Sequence, residues 1–189
     1  MKYYGYNLLK LLAIFLIFAL VSCNKKEEQI PENAPGKDFS WKSELKINDI
    51  PDSPIKGFIN GKEMKFDYIN FEQWRGSGDN VLNFGDVKPD NNCGYAEFEN
   101  SYHLIRKGGE IIKGDLLKSS FEQNLDGYVA YYNSGSDSNK ATKNSIPWNC
   151  ALVITEMDDK TVKGKIIMCF KDTSKSWLAG SFEAIRCYN

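Results

Sequence analysis

Three patterns of apolar and polar positions divide the chain. The first is the unbroken apolar run Leu11 to Val21. A helix needs about 20 apolar residues to cross a hydrocarbon core about 30 Å thick, so this run is too short to span; it has the length of the apolar part of a cleaved export signal. The second pattern, Asn24 to Pro54, is charged and broken by Pro31, Pro35, Pro51 and Pro54. With little apolar surface to offset chain entropy, it reads as a flexible tether, although Phe39 to Leu45 is apolar enough to dock as an edge strand. The third begins at Ile55, where short runs alternate apolar and polar residues between Gly, Asn, Asp and Ser clusters, the period-two signature of half-buried strands.

Within that third region the Asn60-Gly61 pair, between Ile55–Ile59 and Lys62–Phe66, predicts a tight hairpin, because both residues tolerate positive φ. Met64, Phe66 and Tyr68 share one face, and the phase then changes at Ile69 and Phe71, predicting a bulge or bend. Short strands are expected at Val81–Phe84, Tyr95–Phe98, Tyr102–Ile105 and Tyr128–Tyr132. Gly108-Gly109 predicts a hairpin whose return is Glu110–Leu117, and residues 118–126 are compatible with a helical turn. Asn133 to Pro147 is a long polar loop of the kind that is usually functional or mobile. Trp148–Met157, Thr161–Phe170 and Leu178–Tyr188 read as three consecutive antiparallel strands. The expected fold is mainly β: an antiparallel β-sandwich, with a small up-and-down β-barrel as the alternative. The divisions are residues 1–22 as signal, 23–54 as anchor and tether, and 55–189 as one β-rich domain.

The apolar run ends in Leu20-Val21-Ser22-Cys23. These residues resemble the lipobox of bacterial lipoproteins. The resemblance implies cleavage between Ser22 and Cys23 and acylation of Cys23, with several acyl chains anchoring the protein to a membrane. Asn24 stands where such lipoproteins carry Asp when retained at the inner membrane. Lys25-Lys26-Glu27-Glu28 is similar to the signal that sends some Bacteroidota lipoproteins to the cell surface. The implied place is the outer membrane, lipid-anchored and surface-exposed, with a periplasm-facing arrangement as the alternative.

Export changes the reading of the cysteines. Cys93, Cys150, Cys169 and Cys187 form an even set in an oxidising compartment, which predicts two disulfides; a zinc site is disfavoured because no C-x2-C pair is present. A symmetric turn at 158–161 sets Cys150 opposite Cys169 and leaves Cys93 for Cys187. A one-residue bulge would instead bring Val162, Ile166 and Met168 into line with Leu152, Ile154 and Cys150, and send Cys150 and Cys169 to opposite faces. The sequence leaves both registers open.

Charge excludes one class of partner. Without Lys2 and Lys10 the net charge is about −3, and no concentrated basic face suggests nucleic acid. No G-x-S-x-G, H-E-x-x-H or P-loop pattern is present, and the only histidine, His103, lies in a strand-like stretch, so no enzyme, cofactor or catalytic residue is expected. Asp86, Asp90, Asn91 and Asn92 offer oxygen donors suited to calcium, but they lack EF-hand spacing and also fit simple turns. Trp74, Tyr131, Trp148 and Trp177 lie near loops or strand ends and are candidates for a platform that stacks a sugar or peptide, against the plainer reading of core and rim packing. The expected function is that of an envelope-anchored, non-enzymatic ligand-binding lipoprotein. The alternatives are an inhibitor or immunity-type interaction protein using loop 133–147, and a small envelope hydrolase.

Overall fold

The Asn60-Gly61 pair adopts the backbone its chemistry allows, with φ of 51° and 75°, and joins β1 (Lys56–Ile59) to β2 (Lys62–Met64) as an antiparallel hairpin. The computed structural model describes residues 39–89, 93, 100–135 and 141–188. The expected signal, Cys23, the Lys25–Glu28 signal, the calcium candidates Asp90, Asn91 and Asn92, and the strand at Tyr95–Phe98 lie outside the described residues.

Nine further strands follow: β3 (Tyr68–Trp74), β4 (Asp79–Gly85), β5 (Ser101–Arg106), β6 (Gly114–Lys118), β7 (Tyr128–Ser134), β8 (Thr142–Asn144), β9 (Trp148–Met157), β10 (Thr161–Phe170) and β11 (Trp177–Tyr188). Among the described residues there is no α-helix, only a single 3-10 turn at Ile47–Asp49, so residues 118–126 form no helical turn. The three C-terminal strands match the expected ranges almost residue for residue. The bulge or bend expected at Ile69 and Phe71 does not form: β3 pairs with β4 in unbroken register from Tyr68 to Trp74, and the chain leaves strand geometry earlier, at 65–67 between β2 and β3.

The fold is mainly β and stapled by a disulfide, as expected. Its strands form one hydrogen-bonded sheet in the order β6-β9-β10-β11-β3-β4-β5-β7-β8, with β1 added to β11 and β2 to β1. The sheet is mixed, because β11 and β3 run parallel. It curls into a half-barrel, so that strands far apart in the order meet face to face. Tyr102 on β5 stacks on Phe170 of β10 with centroids 5.8 Å apart, Tyr132 on β7 meets Phe170 at 5.0 Å, and Phe84 on β4 meets Phe182 of β11 at 5.4 Å. The Tyr102 hydroxyl lies 2.6 Å from the Phe58 carbonyl and 2.9 Å from that of Trp177, tying the two walls together. Burying each large apolar side chain of this inner core contributes about 1.5–3 kcal/mol.

Strand β11 makes the curl possible by serving two partners along one edge. Residues 177–179 pair with β1, and residues 185–188 pair with β3. Gly180 stands at the changeover with φ of 134°, where a Cβ would come within 2.6 Å of Ile55 Cα. The expected hairpin at Gly108-Gly109 does not form. The free edge of β5 is taken by β7, and the chain crosses to lay β6 on β9. Loop 133–147 is shorter than expected, since β7 runs to Ser134 and β8 pairs back on it, leaving 136–140 outside the described residues.

The outer face of β9, β10 and β11 is covered by the stretch read from sequence as the far part of the tether. Leu45 is 2% exposed; Phe39 meets Trp177 edge-on at 5.1 Å, and the Trp41 indole donates to the Phe170 carbonyl at 2.8 Å. Asn149 donates to the carbonyls of Lys42 and Ser43, and Glu44 bridges to Ser120. Residues 39–54 are thus part of the folded body, and any tether ends before them.

The cysteines follow the bulged register. Lys163 faces Glu156, but Gly164 faces Ile154, so Thr155 is the extra residue. Cys150 then lies opposite Met168 in the inner core, while Cys169 lies opposite Asn149 and packs into the outer cluster. A Cys150–Cys169 bridge is excluded by geometry, and both thiols are free and buried. Cys93 and Cys187 do form a disulfide, with Cα atoms 5.5 Å apart. Burial pushes both free thiols up, Cys169 to about 12, which leaves them unreactive. In the full chain carrying Cys23→Ser, a thiol reagent is therefore expected to find no reactive group under native conditions and two after denaturation without reductant, and peptide mapping is expected to link Cys93 only to Cys187. Rapid labelling of the native protein would contradict this arrangement.

Candidate functional site

On the outer face of β3, β4, β5 and β7, the strand period of two brings polar side chains into one field. Asn70, Asn83 and His103 stand side by side across β3, β4 and β5, and Ser101 and Asn133 are paired in a neighbouring row. Asn70, Glu72, Asn83, Ser101, His103 and Asn133 are all buried, at 0–7% exposure. Buried polar groups at this density are tolerable only if they satisfy one another.

They do so in one direction. The Trp74 indole, which can only donate, gives its N–H to Glu72 Oε2 at 2.6 Å, and Asn70 Nδ2 donates to Glu72 Oε1 at 2.6 Å. With its amide nitrogen so committed, Asn70 presents its oxygen to Asn83 Nδ2 at 2.7 Å. Asn83 in turn presents Oδ1 to His103 Nδ1 at 2.6 Å, so that nitrogen carries the proton. Burial, and secondarily the Lys143 charge, depress the His103 pKa to about 3, so the ring is neutral and Nε2 accepts. Ser101 Oγ donates to Nε2 at 2.7 Å, and Asn133 Nδ2 donates to Ser101 Oγ at 3.1 Å. One continuous chain of donors thus runs toward Glu72, from β7 through β5 and β4 to β3, and Asn70 Nδ2 also donates to the Tyr68 hydroxyl at 3.1 Å.

The Ser101–His103–Asn83 segment has the hydrogen-bond order of a nucleophilic relay. Both Ser101 and His103 are fully buried, however, and Tyr131 stacks on the imidazole with centroids 4.4 Å apart while Lys143 Nζ lies 3.9 Å from the Tyr131 centroid. A relay so enclosed offers no face to a substrate carbonyl.

A half-open cleft lies beside the β3–β4 turn, at the Trp74 end of the sheet. It has a volume of about 290 Å³ and is lined by Gln73, Trp74, Arg75 and Gly78. Trp74 is half-buried and packs against Val81, Ile105 and Tyr131. Its indole is held from behind by Glu72, which fixes the ring before any ligand arrives. Across the hairpin, Asp79 accepts from Lys107 Nζ at 2.7 Å and from the Gly108 N–H at 2.9 Å, and these two partners hold its carboxyl below the usual range. The Gly78 N–H closes the turn onto the Trp74 carbonyl.

The other expected platform residues are not assembled with Trp74 into one surface. Tyr131 shares its small apolar cluster but is 6% exposed, clamped between His103 and Lys143. Trp148 lies in the inner core beneath Lys118 Nζ, and Trp177 lies in the outer cluster between Phe39 and Phe58. Their places at strand ends suggested a wet side that the curl and the 39–50 stretch remove. Asp86 holds Asn100 through its side chain, a turn role, and among the described residues no three His, Cys, Asp or Glu side chains gather as a metal site. Asn70, Glu72, Asn83, Ser101 and Asn133 were not singled out in the sequence. Their signal was faint: polar residues flanking Phe71 and Leu104 in strands with apolar neighbours.

Comparison of the chain with protein-family models, with known proteins and with solved structures gives no match.

A buried neutral His103 links stability to pH. Its folded pKa lies below the ordinary 6.5, so below that value the unfolded chain takes up a proton that the folded chain refuses. Stability is therefore complete above about pH 6.5 and lost as pH falls toward 3, by about 1.4 kcal/mol per pH unit once well below 6.5. Urea unfolding at pH 7, 6 and 5 is expected to show this slope, and His103→Gln is expected to be less stable at pH 7 and flat across the interval. An unchanged midpoint in the original chain between pH 7 and 5 would contradict a neutral, enclosed imidazole.

Proposed function

We propose that this chain is a lipid-anchored, non-enzymatic binding protein of the cell envelope, which engages its ligand at the Trp74 cleft. The observation that carries the reading is the pre-set indole. Trp74 is half-buried and lines a cleft, and the buried Glu72 carboxyl accepts from its indole N–H at 2.6 Å. A rigid aromatic face needs little ordering on binding, which is how stacking platforms gain affinity. The enclosure of the Ser101–His103–Asn83 segment favours binding over hydrolysis. The Cys93–Cys187 disulfide suits an oxidising compartment outside the cytosol, in keeping with acylation at Cys23 and attachment to the outer membrane.

Two measurements test the proposal. Mass spectrometry of protein extracted from membranes is expected to show residues 1–22 removed and acyl chains on Cys23, and Cys23→Ala is expected to leave the membrane fraction. In a screen of saccharides and short peptides against the full chain, Trp74→Ala is expected to weaken the best ligand by roughly 2 kcal/mol, about thirty-fold. A bare Cys23 thiol would remove the anchor, and a ligand indifferent to Trp74→Ala would remove the cleft.

A further inference from the structure

We infer that the Trp74 cleft takes a saccharide bearing a carboxylate, such as a uronic-acid oligomer; this rests on reading the cleft as the ligand site. Three observations point the same way.

The first is charge. Arg75 is exposed on the cleft wall, and among the described residues no carboxylate pairs with it. The acid that stands opposite Trp74 in the hairpin, Asp79, is already occupied by Lys107 and the Gly108 N–H. Glu72 is buried, with both oxygens facing donors. The guanidinium is therefore left to an incoming anion, whose two oxygens it can meet in parallel.

The second is the ring. Hydrogen bonding of the indole N–H to a carboxylate adds electron density to the π face, which favours the positive edges of C–H groups over an anion placed on the ring. A sugar satisfies both demands, with its C–H face on Trp74 and its carboxylate on Arg75, while the Gln73 amide supplies a hydrogen bond to a hydroxyl. A cation would suit the ring but be repelled by Arg75.

The third is the backbone. Peptides commonly bind by adding a strand to an open edge. Here Gln73 pairs with Tyr188 on one side and Asn80 on the other, and Asn80 also pairs with Arg106, so at these cleft positions the described backbone is already paired on both sides. A volume near 290 Å³ stands at the low end for ligand pockets, room for roughly one or two sugar rings.

The test uses the full chain with a trisaccharide of galacturonic acid and the same trisaccharide as its methyl ester, which keeps the shape and removes the charge. Calorimetric titration at low salt is expected to show the acid bound about ten-fold tighter than the ester or better, with the advantage shrinking at about 0.5 M salt. Arg75→Gln is expected to lower affinity for the acid about ten-fold and abolish the preference, and Trp74→Ala to abolish binding of both. Lys163→Gln on β10, which removes one positive charge far along the sheet, is expected to change nothing. Equal affinity for acid and ester, or a preference that survives Arg75→Gln, overturns the acidic class while leaving Trp74 as a ligand site. Binding of neither sugar, or sugar binding indifferent to Trp74→Ala, overturns the inference and the cleft reading together. Tight binding of an acidic tripeptide at Trp74 in place of the sugar overturns the saccharide assignment alone.

Discussion

A buried carboxyl that, among the described residues, forms no ion pair is the constraint on which the outer face depends. Glu72 is 1% exposed, and its oxygens meet a tryptophan N–H and an amide N–H, both neutral donors. Such a charge is costly unless its donors are fixed and polarised. The chain from Asn133 through Ser101, His103, Asn83 and Asn70 meets that demand, since each group that donates toward Glu72 accepts from the one behind it. One acceptor-only end therefore sets the amide orientations of two asparagines, the tautomer of the histidine and the rotor of the serine. The same end sets the angle of Trp74.

The fold supplies the flat, enclosed ground this network needs. Cross-strand register alone sets Asn70 beside Asn83 and His103, so the network requires β3, β4 and β5 in this pairing and no other. On the other side of β3, the parallel pairing with β11 sets Cys187 across from Glu72, and the Cys93 disulfide is fixed to that position. The two walls of the half-barrel differ in what covers them outside. One is covered by the apolar 39–50 stretch, and the other carries the polar field, with the cleft beside the β3–β4 turn.

What could be read from the sequence was local. Trp148–Met157 and Thr161–Phe170 announced themselves because alternation and the Asp158-Asp159 turn lie within one short stretch. Asn60-Gly61 did so for the same reason. What escaped was set at long range. Nothing near Tyr188 indicates that it will run parallel to β3. Phe39, Trp41 and Leu45 are diluted among lysines and prolines, so their burial becomes visible only once β10 and β11 offer a surface. The cysteine pairing hinged on Thr155, one extra residue, which decided whether two thiols met or faced apart. The polar field was hidden for a different reason. Asn70, Glu72, Asn83 and Ser101 look like solvent-facing residues of ordinary strands, and only mutual hydrogen bonding across strands lets them be buried. Trp74 was legible as an aromatic at a strand end, but the same rule misplaced Trp148 and Trp177.

Proton-detected nitrogen NMR of the only histidine tests the Glu72-anchored chain most directly. A neutral His103 with its proton on Nδ1, the less common tautomer in solution, is expected at pH 7 and is expected to persist at pH 5. Replacing Glu72 by Gln is expected to disturb that signal although Asn70 and Asn83 stand between the carboxyl and the imidazole. A proton on Nε2 at pH 7, or an imidazolium already formed at pH 5, would contradict the directional network and the fixed Trp74 that follows from it.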